Sequence, residues 1–324
     1  MSSLLHEVSI GKLRLSSNLF LAPMAGYTDK VYRSICLRHG AALAYTEMVS
    51  SEGVARGSEK TVVLMERGEG ETNLAVQLFM PDADTAKRSL EGVKAYRPAL
   101  IDINCGCPVP KVVKTGAGSA LLRKPEVIGE IVRTIVENVD VPVTVKIRTG
   151  WDTDSLNYLK TADIAFSAGA AAVCMHARTR SQLYMPTAHW ELLADLKKHF
   201  PDNMIIGSGD LFTANDGVRM LEETGVDAIS YARGAIGNPF IFEQTKALLG
   251  NLEPRTVTVD EKSEAIMIHL KGLVEFLGEY TACREMRKHV CAYLKGIPNS
   301  ARVRQAVTCA LTVAEYEQAL SQLK

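Results

Sequence analysis

The chain has 324 residues, with 37 basic and 37 acidic side chains and a formal net charge of zero. That length suits one large α/β domain with a smaller companion, and the charge balance excludes a protein that is basic throughout, though not a local basic patch. Seven cysteines in no paired spacing exclude a secreted disulfide framework.

The chain opens on MSSLLHEVSIGKLRL, where Glu7, Lys12 and Arg14 fall in what would be the apolar core of a signal peptide. No run reaches the roughly 18 apolar residues of a membrane span. A cytoplasmic protein with free thiols and no membrane partner is expected, and a monomer.

Eight apolar runs then recur, each followed by turn residues. They are NLFLAPMAG (from Asn18), AALAYTEM (Ala41), NLAVQLFM (Asn73), ALIDINC (Ala99), VPVTVKIR (Val141), AAVCMHAR (Ala171), NMIIGSGD (Asn203) and VDAISYAR (Val226). They are mostly continuously apolar rather than alternating, as strands buried on both faces are. Between them stand segments with helical spacing: 28–40 ending at Gly40, 81–96 with Asp82 or Asp84 as N-cap, 124–139 with Pro125 in its first turn, 154–169, and 213–225. Alternating strands and helices mean a parallel sheet. Eight units between Asn18 and Gly250 predict a (β/α)8 TIM barrel, whose usual size is about 250 residues. A doubly wound sheet is the alternative, but APMAGYTD lacks the GxGxxG fingerprint after the first strand.

From Asn251 the texture changes. NLEPRTVTVD reads as a linker, and helical patterns without strand runs follow to the end. The expected division is therefore 1–250, a barrel, and 251–324, a small all-helical domain. Between Thr281 and Arg304 stand six basic residues (Arg284, Arg287, Lys288, Lys295, Arg302 and Arg304) against the single acid Glu285. Such a segment, with Arg287 and Lys288 at its centre, fits a grip on nucleic-acid phosphates; a solvated helix face is the plainer alternative.

In a barrel the chemistry sits at the carboxyl ends of the strands. Those ends carry Pro23-Met24-Ala25-Gly26, Glu47, Gln77, Asn104-Cys105-Gly106-Cys107, Lys146 with Arg148, His176 with Arg178, Ser208-Gly209-Asp210 and Arg233-Gly234. Side chains two apart share a face, so Lys146 and Arg148 point one way, as do His176 and Arg178. GSGD and ARGAIGN each precede a helical segment and fit a phosphate, with Arg233 as its partner. Cys105-Gly106-Cys107 is too short for a comfortable disulfide and too isolated for zinc, so no metal is expected. Cys107, in a loop stiffened by Pro108 and Pro110, suits an acid, a nucleophile or a packing role equally on spacing alone.

Taken together, LAPMAGYTD, VQLF, DINCGCPVPKVVKTGAGSALL, VTVKIRTGW, HARTR, GSGD, ARGAIGNPFIF and REMRKHVCAYLKGIP resemble the tRNA-dihydrouridine synthases, and within them the bacterial B-like branch. The resemblance spans essentially the whole chain. It implies an FMN-dependent barrel followed by a helical tRNA-binding domain, reducing the C5–C6 double bond of uridines in tRNA. Reduced FMN passes a hydride from N5 to C6, a cysteine gives a proton to C5, and NADPH (or NADH) reduces the flavin. Cys107 falls on the cysteine of the family's GCP and is implied as the acid; Cys105 gains no role. Pro23, Met24 and Ala25 match the segment lining the flavin, Gln77 a partner of the isoalloxazine ring, Lys146 the lysine at its pyrimidine edge and His176 a flavin-site histidine. Ser208, Gly209, Asp210, Ala232, Arg233 and Gly234 match the phosphate and ribityl region, with Ser208 where relatives often carry Asn. Asn104 and Arg178 match residues that position the uracil. The competing readings are an FMN barrel acting on a small pyrimidine, like dihydroorotate dehydrogenases, a tRNA-binding protein without activity, and a flavin-free barrel lyase using Cys107 as base.

Overall fold

The computed structural model describes residues 4–323. A short antiparallel hairpin, β1 (Val8–Ile10) and β2 (Leu13–Leu15), comes first. Each of the eight apolar runs then becomes a strand: β3 (Leu19–Leu21), β4 (Leu43–Ser50), β5 (Leu74–Phe79), β6 (Leu100–Cys105), β7 (Val143–Arg148), β8 (Ala172–His176), β9 (Met204–Ser208) and β10 (Ala228–Tyr231). All are parallel, and pairing of β10 with β3 closes the eight into a barrel, as predicted.

The strands are mostly apolar on both faces because those faces serve two cores. In β6, Ile101, Ile103 and Cys105 face outward into one buried layer with Ile128, Ile131 and Ile135 of the helix Pro125–Val136. The alternate residues face the barrel axis, where Leu100 packs with Phe20, Leu43, Tyr45, Ala75, Ala172 and Ile206. The hairpin supplies Val8, Ile10 and Leu15 to this inner cluster and plugs the amino end of the barrel. The hairpin was not expected, and neither was the helix Trp190–His199. After β4 the helical position is filled by two short pieces, Ser51–Ala55 and Glu59–Val62. Of the two cap candidates for the helix Ala83–Lys94, Asp82 is the one used, accepting from the Thr85 amide at 2.8 Å.

β4 runs on to Ser50 rather than ending at Glu47. Its register against β5 shifts between Tyr45 and Met48, a bulge that turns Glu47 toward the rim, where its Oε2 accepts from the Gly26 amide at 2.6 Å.

After the last barrel helix, Ile241–Leu249, come four more: Val259–Leu277, Glu279–Tyr293, Ser300–Cys309 and Val313–Leu320. They dock on the barrel through two close approaches that exclude a side chain. A Cβ on Gly272 would stand 2.6 Å from Val31 Cγ1 of the helix Lys30–Arg38. One on Gly237, in the turn after β10, would run into the Tyr293 nitrogen. Among the described residues no helix is long and apolar enough to cross a membrane.

Candidate active site

A cavity of about 490 Å³ opens over the carboxyl ends of the barrel strands, within the usual range for small-molecule sites. It gathers residues from every strand end. Pro23, Met24 and Ala25 follow β3, Met48 stands on β4, Gln77 on β5 and Asn104 on β6. Lys146 and Arg148 come from β7, His176 from β8, and Ser208, Gly209 and Asp210 from β9 and its loop. Ala232 and Arg233 follow β10, and Cys107 faces the same space.

Cys107 is held by a chain of hydrogen bonds that begins at the buried carboxylate of Asp102. Asp102 Oδ1 accepts from Thr144 Oγ1 and Oδ2 from Gln77 Nε2, both at 2.6 Å. Gln77 Oε1 accepts from Asn104 Nδ2 at 2.8 Å. Asn104 Oδ1 in turn accepts from the backbone amides of Cys107 at 2.9 Å and Gly106 at 3.2 Å. The order follows from strand alternation: Asp102 and Asn104 share the inner face of β6, and Gln77 lies opposite Asp102 in the ladder. Burial raises the Asp102 carboxyl to about 6, while its bonds to Gln77 and Thr144 and the charge of Lys146 pull the other way. Asp102 was not among the expected site residues.

On the far side, the Cys107 carbonyl accepts from the Ser119 amide at 3.0 Å. Gly118 (φ +62°) makes this turn possible, since its Cβ would lie 2.9 Å from that same carbonyl oxygen. The thiol is half-buried, and burial raises its pKa above the ordinary thiol value, with the Val109 amide and Arg148 opposing. It therefore keeps its proton at neutral pH. Cys105 is fully buried on the outer face of β6, away from the cavity.

The cavity wall is cationic. Burial lowers the His176 pKa well below its usual value, and Arg148, Lys146, Arg178 and Arg233 add to the effect, so the imidazole is neutral. Its Nε2 lies 3.2 Å from Arg178 Nη1, a donor, which puts the ring proton on Nδ1. Arg148 clamps two loops, donating to the carbonyls of Gly106 at 3.0 Å, Thr179 at 2.8 Å and Leu183 at 3.0 Å. Gly209 (φ +121°) brings the backbone against His176, whose Cδ2 would lie 2.9 Å from an added Cβ.

Several expected residues sit otherwise than their sequence pattern suggested. Arg178 does not line the cavity. It is buried, paired with both carboxylate oxygens of Asp210 at 2.6 and 2.8 Å, and donates to the Pro186 carbonyl at 2.8 Å. Asp210 also accepts from Arg233 at 3.1 Å and from the Ala188 amide at 2.8 Å, so its carboxylate ties the rim loops together. The Ser208 hydroxyl donates to the Ser230 carbonyl on β10 at 3.1 Å. Gly234 packs against the Leu211 carbonyl rather than lining the cavity. The GSGD turn does not open a free helix N-terminus, because the helix Ala214–Thr224 starts farther on and closes its own end. Its Thr213 and Asp216 form a capping box, and Asp216 also accepts from the Phe212 amide.

The rim adds aromatics that sequence patterning missed. Arg233 lies between the rings of Tyr184, 4.6 Å from its guanidinium carbon, and Phe212, at 4.9 Å. Leu183, Tyr184, Met185, Phe212 and Val109 are all exposed near this mouth. Lys288, on the helix Glu279–Tyr293, pairs with Glu285 and stands 5.4 Å over the ring of Tyr27, which lines the cavity. Arg287 turns instead into the helical tail and donates to the Ala310 carbonyl at 3.2 Å.

A closed parallel barrel with convergent polar side chains over its carboxyl ends defines a (β/α)8-barrel enzyme. Comparison with solved structures agrees on the fold: a 2-naphthoyl-CoA reductase in complex with 2-naphthoyl-CoA superposes with a TM-score of 0.59 at 10% identity, over 77% of this chain and 52% of that one. The family model described as dihydrouridine synthase (Dus) matches residues 20–324. A probable tRNA-dihydrouridine synthase of Treponema pallidum (strain Nichols) is 41% identical over 97% of this chain and 95% of its own. A tRNA-dihydrouridine synthase B of Pasteurella multocida (strain Pm70) is 38% identical over 92% and 90%. The chain belongs to the dihydrouridine synthase family and is an oxidoreductase.

Proposed function

We propose that this chain reduces the C5–C6 double bond of uridines in tRNA, with FMN held in the barrel cavity and NADPH as its reductant. The observation that carries the reading is the cationic cavity with a protonated Cys107 held over it by the Asp102–Gln77–Asn104 chain. The residues fit FMN: Pro23, Met24 and Ala25 would wall its ring, and Gln77 would meet the ring's polar edge. Lys146 and His176 would lie along it, Lys146 favouring an anionic reduced ring. Arg233, with the backbone of Ser208, Gly209, Asp210 and Ala232, would take the phosphate and ribityl chain.

When bound and reduced, FMN would supply a hydride for uracil C6. Cys107 Sγ gives its proton to C5 as electron density builds there, and the thiolate left behind faces Arg148. Asn104 fixes the loop that carries the thiol and offers the uracil a neighbouring amide. Arg178 acts behind this surface, through His176 and Asp210. A uridine in folded tRNA must leave its stack to enter, at a cost of a few kcal/mol. The exposed rim aromatics Tyr184 and Phe212 offer faces against which flanking bases stack.

Residues 251–324 serve as the tRNA grip, with Lys288 standing over Tyr27 at the cavity wall. Lys288→Glu is expected to weaken tRNA binding about tenfold and to flatten its salt dependence by about one phosphate contact. Gel-shift titrations at two salt concentrations measure this, and unchanged affinity removes Lys288 from the grip. The test of the whole reading is an absorbance scan of the purified protein, followed by NADPH-driven dihydrouridine formation on unmodified tRNA. Flavin bands with product support it. Flavin without product on any tRNA points to a small pyrimidine as substrate, and no flavin after reconstitution refutes the cavity assignment.

A further inference from the structure

Where the helical tail meets the barrel, three potential ligand side chains converge away from the cavity. Asp29 follows β3 and caps the helix Lys30–Arg38, its Oδ1 accepting from the amides of Val31 at 2.9 Å and Tyr32 at 3.1 Å. His269 lies on the helix Val259–Leu277 and His289 on Glu279–Tyr293, and both are buried. One carboxylate oxygen and one nitrogen from each ring lie within 4.8 Å of one another.

The ring nitrogens are the anomaly. Neither nitrogen of His269 nor Nδ1 of His289 has a hydrogen-bond partner among the described residues. Buried polar atoms are nearly always partnered, and leaving one unpartnered costs roughly 1–3 kcal/mol. Here both rings carry such atoms, and each ring places one nitrogen within 4.8 Å of an Asp29 carboxylate oxygen. Both rings are buried, and the nitrogens left without a hydrogen-bond partner are available to an ion. Packing also orients them: Tyr32 stacks on His269 at 5.1 Å between ring centres and lies 5.1 Å from His289.

We propose that Asp29, His269 and His289 bind one divalent transition-metal ion of the zinc class, which clamps the helical tail to the barrel. Two neutral imidazoles and a carboxylate are a common zinc donor set, with one position left for water. Zinc bonds of roughly 2.0–2.1 Å place tetrahedral ligand atoms about 3.3 Å apart, so side-chain rotations of about an ångström close the present set around an ion. The ion joins the loop after β3, on the cavity side of the barrel, to the two helices that bring Lys288 over Tyr27. It thereby holds the tail in register with the mouth. Lys288 adds positive charge nearby, and its pairing with Glu285 tempers that.

The test uses the full-length protein, purified without a histidine tag, stripped with chelator, and titrated with ZnCl₂ or CoCl₂. About one ion per chain should survive desalting by elemental analysis. The cobalt form should show visible bands without thiolate charge transfer, and the Tm should rise with added zinc. Asp29→Asn, which keeps the cap, and His269→Phe, which keeps the stack, should each bind zinc at least about tenfold more weakly. A wild-type protein that retains no ion and shows no Tm shift overturns the proposal, and leaves a buried water as the partner of these nitrogens. Equal binding in the variants also overturns it, placing the ion elsewhere, for instance at the exposed Cys309. Should the variants not fold, the wild-type cobalt spectrum decides, and thiolate charge transfer rejects the site.

Discussion

Cys107→Ala is expected to lower dihydrouridine formation by about 10²–10⁴-fold, the range for losing a positioned general acid, equivalent to about 3–5 kcal/mol in the barrier. The substitution removes only the thiol. The loop is held through the Cys107 amide and carbonyl, which the alanine keeps, so bound flavin and tRNA affinity should be those of the wild type. The loss belongs in kcat, because the proton moves in the transition state and not on binding. Burial raises the thiol above its ordinary pKa, so the acid stays loaded through neutral pH. The alkaline limb of the wild-type pH–rate profile should accordingly lie above the usual thiol range and be absent from the residual activity of the variant. Single-turnover reaction of prereduced enzyme with unmodified tRNA measures both effects. A variant as fast as the wild type rejects Cys107 as the acid.

The barrel was legible because strands buried on both faces carry mostly apolar runs, repeated eight times with helical segments between them. Helices were legible where a cap and a periodic face coincided, as from Asp82 and from Thr213. The amino-terminal hairpin escaped because three residues per strand leave no period to detect. At the site, alternation alone correctly put Lys146 and Arg148 on one face. It would also have exposed Asp102, two residues before Asn104, had the inner face of β6 been followed down toward Leu100. Contacts across the chain left no local trace. Arg178 and Asp210 are 32 residues apart, and only the fold shows that their charges satisfy each other. Tyr184 and Phe212 lie in rim loops, where no periodicity marks a side chain. His269 and His289 each fall on a helix that reads as ordinary packing, and their meeting with Asp29 depends on how the tail docks.

Asp102 is expected to separate geometry from charge. Asp102→Leu removes both acceptors at the root of the chain and leaves Gln77 Nε2 buried without a partner, at about 1–3 kcal/mol. Gln77 then has reason to turn its amide, which would present a donor to Asn104 Nδ2 and release Asn104 Oδ1 from the Cys107 loop. A displacement of an ångström at a reacting group costs about 10²-fold, and that loss in turnover is expected of the leucine variant. Asp102→Asn should behave differently. Its oxygen can still accept from Gln77, while its NH₂ donates to Thr144 Oγ1, whose lone pairs are available. Most of the turnover should therefore return, which a merely cavity-forming defect would not allow. Stability should move the opposite way with pH. The folded carboxyl is raised from 3.8 to about 6, so between those values the native state holds a proton the unfolded chain has released. Stability contributed by this group is thus full below about pH 4 and lost as pH rises through about 6, amounting to about 3 kcal/mol. The asparagine variant carries no such titration. Its Tm relative to wild type should climb from pH 4 to pH 7 and then level off, as read by thermal unfolding across that range. A pH-independent difference would show that Asp102 is already ionised at pH 4, with Gln77, Thr144 and Lys146 outweighing the cost of its burial.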